Sequence, residues 1–501
     1  MKKTKIAIGV VVALGVIWTG AAWLTGKQLE KNMDQLVQNA NAQIDNMAPE
    51  SRLRLSYQDF QRGIFSSSAR IVLQSSSQTE DNSLLKPGQS IVFDEKIDHG
   101  PFPFAQLKKF HLIPGMASVH SQLENTDAVK ALFSMAQGKS VIQADTRISY
   151  SGATTSEITL LPVDYSDAQT GERFASHGGT LNISADNEGD KVNFNGHLDS
   201  LALTTKNQLN MPVLFTANGL QLDANTHLTQ EGMRIGDQSV NLKTLTAAVN
   251  GQEAFTVEGL KGKSSFNSEK NLISGTIDYT LDALKVQDQN FGQGKLFIKL
   301  AQFDANGVKA FSDNYNRQVQ ALISEPGISD NPALYQQRMS QVLSANMPLL
   351  LKGSPTVNIA PLSWKNDQGE STLNLAIDFN DPASNAAQPQ NILLNVDNVL
   401  KKLDGKLSIS MGMATELMTR VAIAEGYKQE DAAKLADQQV KGVAALGQLF
   451  KLTTQQDNNI VTSLQYAAGQ VTMNGEKMPL DQFLSRYYMQ DSDTSPAKAP
   501  Q

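Results

Sequence analysis

Beyond residue 50 the chain is dominated by a hydrophobic period of two. Leu53, Leu55 and Tyr57 alternate with Arg52, Arg54 and Ser56. Ile273, Ile277, Tyr279 and Leu281 fall on one side of a second run, with Thr276, Asp278, Thr280 and Asp282 on the other. In a third, Leu373, Leu375, Ile377 and Phe379 alternate with Thr372, Asn374, Ala376 and Asp378. Successive side chains of a strand point to opposite faces, so each run predicts a strand with one apolar and one wet face. Asn195-Gly196, Asn218-Gly219, Asn250-Gly251, Asn306-Gly307, Asp404-Gly405 and Asn474-Gly475 punctuate the strand-like stretches as turn signals. Together they predict antiparallel meanders in preference to βαβ units. Phe194-Asn195-Gly196-His197-Leu198-Asp199 and Ile273-Ser274-Gly275-Thr276-Ile277-Asp278 share an apolar-polar-Gly-polar-apolar-Asp pattern, a weak repeat compatible with a sheet that reuses one strand pair.

Helical spacing interrupts this pattern over 127–137, over 311–351 with breaks near Pro326 and Pro332, over 392–403, and over 415–452. Strands return at 460–466 and 471–473, and a short helix is predicted over 480–487. The fold class is α+β: an N-terminal transmembrane helix, then a large, mostly antiparallel β-sheet body, with helices in the middle and in the C-terminal part.

The N-terminus follows a different rule. Lys2, Lys3 and Lys5 precede an uncharged run from Ile6 to Leu24, and the next charge is Lys27. At 1.5 Å per residue such a run spans roughly 28 Å, close to the hydrocarbon thickness of a bilayer. The basic flank predicts a cytoplasmic N-terminus, with the bulk on the far side of the membrane. A cleaved signal peptide is the competing reading, with Gly20-Ala21-Ala22 as its exit. The length of the run, with Trp18 and Trp23 near its outer end, favours an uncleaved anchor. Leu29, Met33, Leu36, Val37, Ala40, Ile44 and Met47 then recur at helical spacing until Pro49. This amphipathic helix is either a stalk with a dimerising seam or a helix packed on its own domain. The organisation expected is an anchor over 1–26, a stalk over 27–49, a β-rich region over 50–305, a mixed α/β region over 306–490 on the same body, and a disordered polar tail over 491–501.

Composition narrows the chemistry. Of 501 residues 40% are apolar and 19% charged, and the net charge of −7 carries no basic stripe, which argues against a nucleic-acid partner. With no cysteine, disulfides, thiolate metal sites and cysteine nucleophiles are excluded. Gly262-Lys263-Ser264 fails as a phosphate loop because Val257 stands where the first glycine is required. Gly292-Gln293-Gly294 fails as a dinucleotide loop because Phe297 occupies the third glycine position. No Gly-x-Ser-x-Gly elbow is present, and none of the six histidines has another three or four residues away. No cofactor is expected. The most unusual string is Asp98-His99-Gly100-Pro101, followed by Phe102-Pro103-Phe104. It reads either as an acid–base pair or, more simply, as a sharp turn that drops its phenylalanines into a core.

Several stretches carry a family resemblance: Tyr57-Gln58 with Arg62-Gly63, the Asp98–Pro101 turn with Gln106-Leu107-Lys108-Lys109, Ile359 to Asn366, Leu452-Thr453-Thr454, and Val471 to Gly475. In these the chain resembles the YdgA family of enterobacterial proteins of unknown function over essentially its whole length. The resemblance implies a Gram-negative inner-membrane protein with its bulk in the periplasm, and transfers no catalytic residue.

The function expected is a non-enzymatic binding or scaffold protein of the cell envelope. Its partners would be the bilayer, through Ile6–Leu24, and a lipid or an envelope protein. An apolar sheet face carrying Ile273, Ile277, Tyr279, Leu373, Leu375, Ile377 and Phe379 is the candidate groove for an amphiphile. If helices close that face, the 415–452 helices become the candidate interaction surface. The alternatives are a hydrolase with a dispersed site, which would place His99 or His197 beside a serine or carboxylate in a pocket, and a structural homodimer joined through the 27–47 helix.

Overall fold

The computed structural model describes residues 2–47, 52–76, 85–167, 171–207, 209–287, 289–323, 325, 327–328, 331–381 and 396–487, and side chains from residue 19 onward apart from a few helical positions. The break at Pro326, the stop at Pro49 and the tail over 491–501 lie outside these residues. Internal contacts divide the chain into two compact units, Met1–Leu228 with Val240–Gly251, and Thr229–Ser239 with Gln252–Gln501.

The first unit opens with helix α1 (Lys2–Met47), followed by β1 (Leu53–Arg62), β2 (Ser66–Ser75), β3 (Ser90–His99), α2 (Phe104–Lys108), β4 (Ala117–Leu123) and α3 (Lys130–Met135). Next come β5 (Ile142–Ile148), β6 (Thr154–Leu160), a small hairpin of β7 (Val163–Ser166) and β8 (Arg173–Ser176), then β9 (Gly179–Ala185), β10 (Lys191–Lys206) and β11 (Pro212–Leu228). Strand β12 (Arg234–Val249) contributes residues to both units. The first-unit pairings run β1-β2-β3-β4-β5-β6-β9-β10-β11, all antiparallel, so chain neighbours are mostly sheet neighbours. The first half of β10 carries β9 on one edge and its second half carries β8.

Helix α1 lies on this sheet through one stripe. Ala22, Thr25, Gly26, Leu29 and Met33 are buried at intervals of three and four, and Leu29 and Met33 pack with Ile97, Ala117, Ile71, Val119 and Ile148. Of the apolar stripe proposed for a seam, Leu29 and Met33 are thus occupied by the chain's own sheet, while Leu36 stays 49% exposed. Polar contacts extend the docking: Arg62 to Glu30 at 2.8 Å, Tyr57 Oη to Asp34 at 2.9 Å, and Asn41 to both backbone groups of Leu55 at 2.8 Å. Helix α3 covers the other part of the same face, where Phe133 and Val129 pack with Leu123, Val141 and Phe93. Among the described residues no helix is long and apolar enough to cross a membrane; most of Ile6–Leu24 falls on positions whose side chains lie outside that set.

The second unit contains β13 (Gln252–Glu269), β14 (Leu272–Val286), β15 (Gln289–Asp304), α4 (Ala305–Ile323), α5 (Pro332–Leu351), β16 (Thr356–Asn366), β17 (Gly369–Phe379), α6 (Val396–Val399) and β18 (Leu400–Ser410). It ends with α7 (Met411–Ala424), α8 (Gln429–Leu449), β19 (Thr454–Gln456), β20 (Asn459–Ala467), β21 (Gln470–Met473), β22 (Glu476–Pro479) and α9 (Leu480–Tyr487). Pairing is again antiparallel throughout, β13-β14-β15-β16-β17-β18-β20-β21-β22, with β19 beside β21 on the edge of β20. The architecture is therefore α+β, with helices inserted after β15 and after β18.

Several sequence expectations need correction. The stretch 392–403 is not a helix: only Val396–Val399 is helical among its described residues, and β18 begins at Leu400 because it is paired on both edges, by β17 and β20. Asp404-Gly405 is no turn but the middle of β18, where Leu375 Cδ1 lies 3.4 Å from the position a Cβ would take. Asn306-Gly307 opens α4, and the Asp304 carboxylate caps it by accepting from the Gly307 N–H at 2.8 Å. Asn195-Gly196 likewise lies within β10. Asn474-Gly475 is the two-residue hairpin turn predicted, with φ of 49° and 86°. Gly475→Ala is expected to lower stability by about 1 kcal/mol in chemical denaturation, because alanine resists positive φ.

Candidate functional site

The Asp98–Pro101 turn lies where β3 ends against α1. His99 is fully buried, its Nδ1 2.8 Å from the Ala22 carbonyl and its Nε2 3.1 Å from Ser67 Oγ. A carbonyl can only accept, so Nδ1 carries a proton; in the neutral ring that burial favours, Nε2 accepts from the Ser67 hydroxyl. Asp98 does not touch the ring's bonding partners; its carboxylate accepts from the Ala105 N–H at 2.9 Å and caps α2. The contacts with α1 are close enough to demand small residues. A Cβ on Gly26 would lie 2.6 Å from His99 Cε1, and one on Gly100 2.6 Å from the Ala22 Cβ. The serine beside His99 is buried as well, and no carboxylate orients the imidazole. The motif joins α1 to the sheet.

Burial lowers the His99 pKa from the ordinary 6.5, helped by the nearby Arg62 charge and opposed by the Ala22 and Ser66 backbone and by Asp98. A depressed folded value means the unfolded chain takes up the proton first. Its stabilisation is therefore complete above 6.5 and is lost as pH falls below it. Thermal unfolding should show this acid-side loss, and His99→Asn should flatten it.

The candidate groove residues lie on β14 and β17 of the second unit. Cross-strand pairing puts Tyr279, Leu296, Leu362, Leu373 and Leu407 in one row over five strands. Ile277, Ile298, Ile359 and Leu375 form the next row, and Ile377 continues a third through Val357 and Leu403 to Tyr466. Opposed residues share a face, so Ile277, Tyr279, Leu373, Leu375 and Ile377 lie on one apolar surface. Ile273 stands opposite Phe303, and Phe379 opposite Leu400. Helices close part of this surface: α7 and α8 pack over Ile409 and Ile460, and α9 over Leu464 and Tyr466. Tyr279 and Leu362 stay 43% and 44% exposed.

A cleft of about 800 Å³, open to solvent, lies on the wet face of the first unit among Asp59, Arg70, Asp94, Lys96 and His120. Arg70 and His120 in it are ion-paired. Glu124 holds the Arg70 guanidinium through two bonds of 2.7 and 2.9 Å. Asp145 holds both His120 (2.8 Å) and Lys109 (2.9 Å); burial pushes its carboxyl up, but the bonds from Lys109 and His120 outweigh this and keep it below the usual range. His197 bonds Asp199 at 2.7 Å on an exposed strand surface with no serine beside it. Among the described residues no group of three His, Asp or Glu could hold a metal.

Sequence reasoning missed Glu95. Alternation along Ile91, Phe93, Glu95, Ile97 puts it on the apolar face between the areas covered by α1 and α3, and that inward charge was legible. Its carboxyl accepts from Ser121 Oγ at 2.6 Å, yet burial pushes its pKa up to about 7, with Asp94 adding to the rise and Ser121 and His120 opposing it.

A family model described as a bacterial protein of unknown function (DUF945) matches residues 1–481. The chain belongs to this family. Among its relatives, Protein YdgA of Escherichia coli K12 is 45% identical over 98% of this chain and 97% of its own length. The uncharacterized protein YihF of the same strain is 28% identical over 96% of this chain and 98% of its own. An uncharacterized protein of Haemophilus influenzae is 23% identical over 62% of this chain and 84% of its own length. The resemblance read from the sequence holds. No solved structure matches the chain.

Proposed function

We propose that the chain is a membrane-tethered, non-enzymatic binding protein of the bacterial cell envelope that holds the apolar part of an amphiphile on the second unit's sheet. The observation that carries this reading is the open section of the apolar surface around Tyr279 and Leu362. The row from Tyr279 to Leu407 crosses five strands, or roughly 19 Å at the usual strand spacing, against roughly 15 Å for the hydrocarbon of one lipid leaflet. Tethering rests on Ile6–Leu24 behind Lys2, Lys3 and Lys5, in a helix that continues unbroken into the first unit. On this reading the N-terminus is cytoplasmic, the anchor crosses the inner membrane once, and the bulk is periplasmic.

Native mass spectrometry of the full chain extracted in mild detergent tests the reading. Co-purified lipid that is lost in Leu362→Lys and Tyr279→Lys supports it, and lipid-free protein at native expression levels overturns it. A second reading, a protein-interaction scaffold, is favoured by Val443, Leu446, Leu449 and Phe450, which are more than half exposed along α8 and its end. A bound protein that leaves on Leu446→Lys, with no lipid present, would favour this reading over the first.

A further inference from the structure

The turns of an antiparallel meander alternate between the two ends of its sheet. At the end where β1, β3 and β5 finish lie the 63–65 turn, the 100–116 loop and the 149–153 turn. The α1 contacts run from Ala22 at His99, through Glu30 at Arg62, to Asn41 at Leu55. The helix residues before Ala22 therefore project past this rim, and the uncharged run Ile6–Leu24 ends level with it.

The same rim carries large apolar side chains in water. Phe110 is 88% exposed, Leu112 68%, Ile113 67% and Ile64 52%. The 100–116 loop, which holds all of these but Ile64, is not loosely folded. Asp98 caps α2, Gln106 bonds both Ser118 (2.9 Å) and His111 (3.0 Å), Pro103 is fully buried, and Phe65 meets Phe104 edge-on at 5.6 Å. The loop thus satisfies its polar groups inside and presents its apolar ones outside, with Phe110 held at φ 57°, a backbone region that is strained for a bulky residue. Beside it Trp23 lies 5.4 Å from Lys27 Nζ and 5.7 Å from the Arg62 guanidinium carbon, an arrangement suited to a membrane interface.

We propose that this rim is a membrane-contact surface: Ile64, Phe110, Leu112 and Ile113 enter the headgroup–acyl boundary of the bilayer that α1 crosses. The occupant is fixed by position, since the surface flanks the exit of the apolar run, and by the basic, exposed Lys108 beside it, which suits anionic headgroups. The proposal rests on the tethered reading above.

The chain has no cysteine, so each introduced one is a unique label site. Full-length Phe110→Cys, Leu112→Cys and Ile64→Cys, each carrying an environment-sensitive fluorophore, would be reconstituted in phosphatidylethanolamine–phosphatidylglycerol vesicles. Leu209→Cys, exposed in the β10–β11 turn at the opposite end of the sheet, is the reference. The expected result is a blue-shifted emission quenched by spin-labelled lipid at the three rim sites and unchanged at position 209. Vesicle-bound protein whose rim labels report water like position 209 overturns the rim proposal and leaves the anchor standing. Protein that does not float with vesicles overturns both.

Discussion

Gly100→Val is expected to lift helix α1 from the first unit's sheet. The added Cβ would lie 2.6 Å from the Ala22 Cβ and 2.9 Å from its Cα, atoms that move only if the helix moves. Position 100 also has φ of 114°, a region β-branched residues avoid. Strain of this kind costs about 1–3 kcal/mol and overpacking about 1–3 kcal/mol more, so a loss near 4 kcal/mol is expected. Displacing the helix would leave Leu29, Met33, Ile97 and Ala117 without their packing. Hydrogen exchange over residues 22–33 together with thermal unfolding reads the effect. Gly88→Val supplies the control, since it has φ of 82° with nothing within 4 Å of a new Cβ. If the two variants are destabilised equally, backbone strain alone is at work and the close approach of helix and turn is not what holds α1.

Glu95→Gln is expected to stabilise the protein at neutral to alkaline pH. The folded carboxyl titrates near 7 instead of the ordinary 4.5, so the folded state binds the proton more tightly than the unfolded one. Its contribution is intact below 4.5, declines as pH rises toward 7, and is a constant penalty above that. A displacement of this size corresponds to about 3 kcal/mol, and partial access to water should reduce the realised gain to about 2 kcal/mol. Glutamine keeps an acceptor for the Ser121 hydroxyl and removes the charge. Chemical denaturation near pH 8 should show the gain, and near pH 4 the two proteins should coincide. A gap of equal size at both pH values would rule out ionisation as the cause. His99 acts with the opposite sign below 6.5, so the two side chains are separable by substituting each alone.

Much of the fold was legible in local pattern. Strict alternation at Ile273–Leu281 and Leu373–Phe379 marked β14 and β17, and the pairing register joins the faces that alternation separated. What failed was local signal overridden by distant neighbours. Asp404-Gly405 has turn chemistry, but pairing on both edges holds it straight, and the missing side chain makes room for Leu375. Asn306-Gly307 was read as a turn although Asp304, three residues before the glycine, is a helix cap. The Asp98–Pro101 string stood out in the sequence, but its partners on α1 are distant, Ala22 being 77 residues from His99, and the purpose of the small residues Ala22 and Gly26 is revealed only by the contact. Phe110, Leu112 and Ile113 gave no signal, because a short apolar run predicts a core and these side chains face water.

The His99–Ala22 contact also fixes geometry. A hydrogen bond from a buried ring to one carbonyl, flanked by Gly26 and Gly100, permits only one azimuth of α1 about its own axis. No flexible linker separates that contact from the chain that precedes it, since the helix is continuous from Lys2 to Met47. A body on a glycine-rich tether sweeps a volume whose radius grows with linker length. Anchored through Ile6–Leu24, the first unit would instead have the tilt and heading of its helix. It would meet partners by lateral diffusion in two dimensions, always presenting the same edge to the membrane plane.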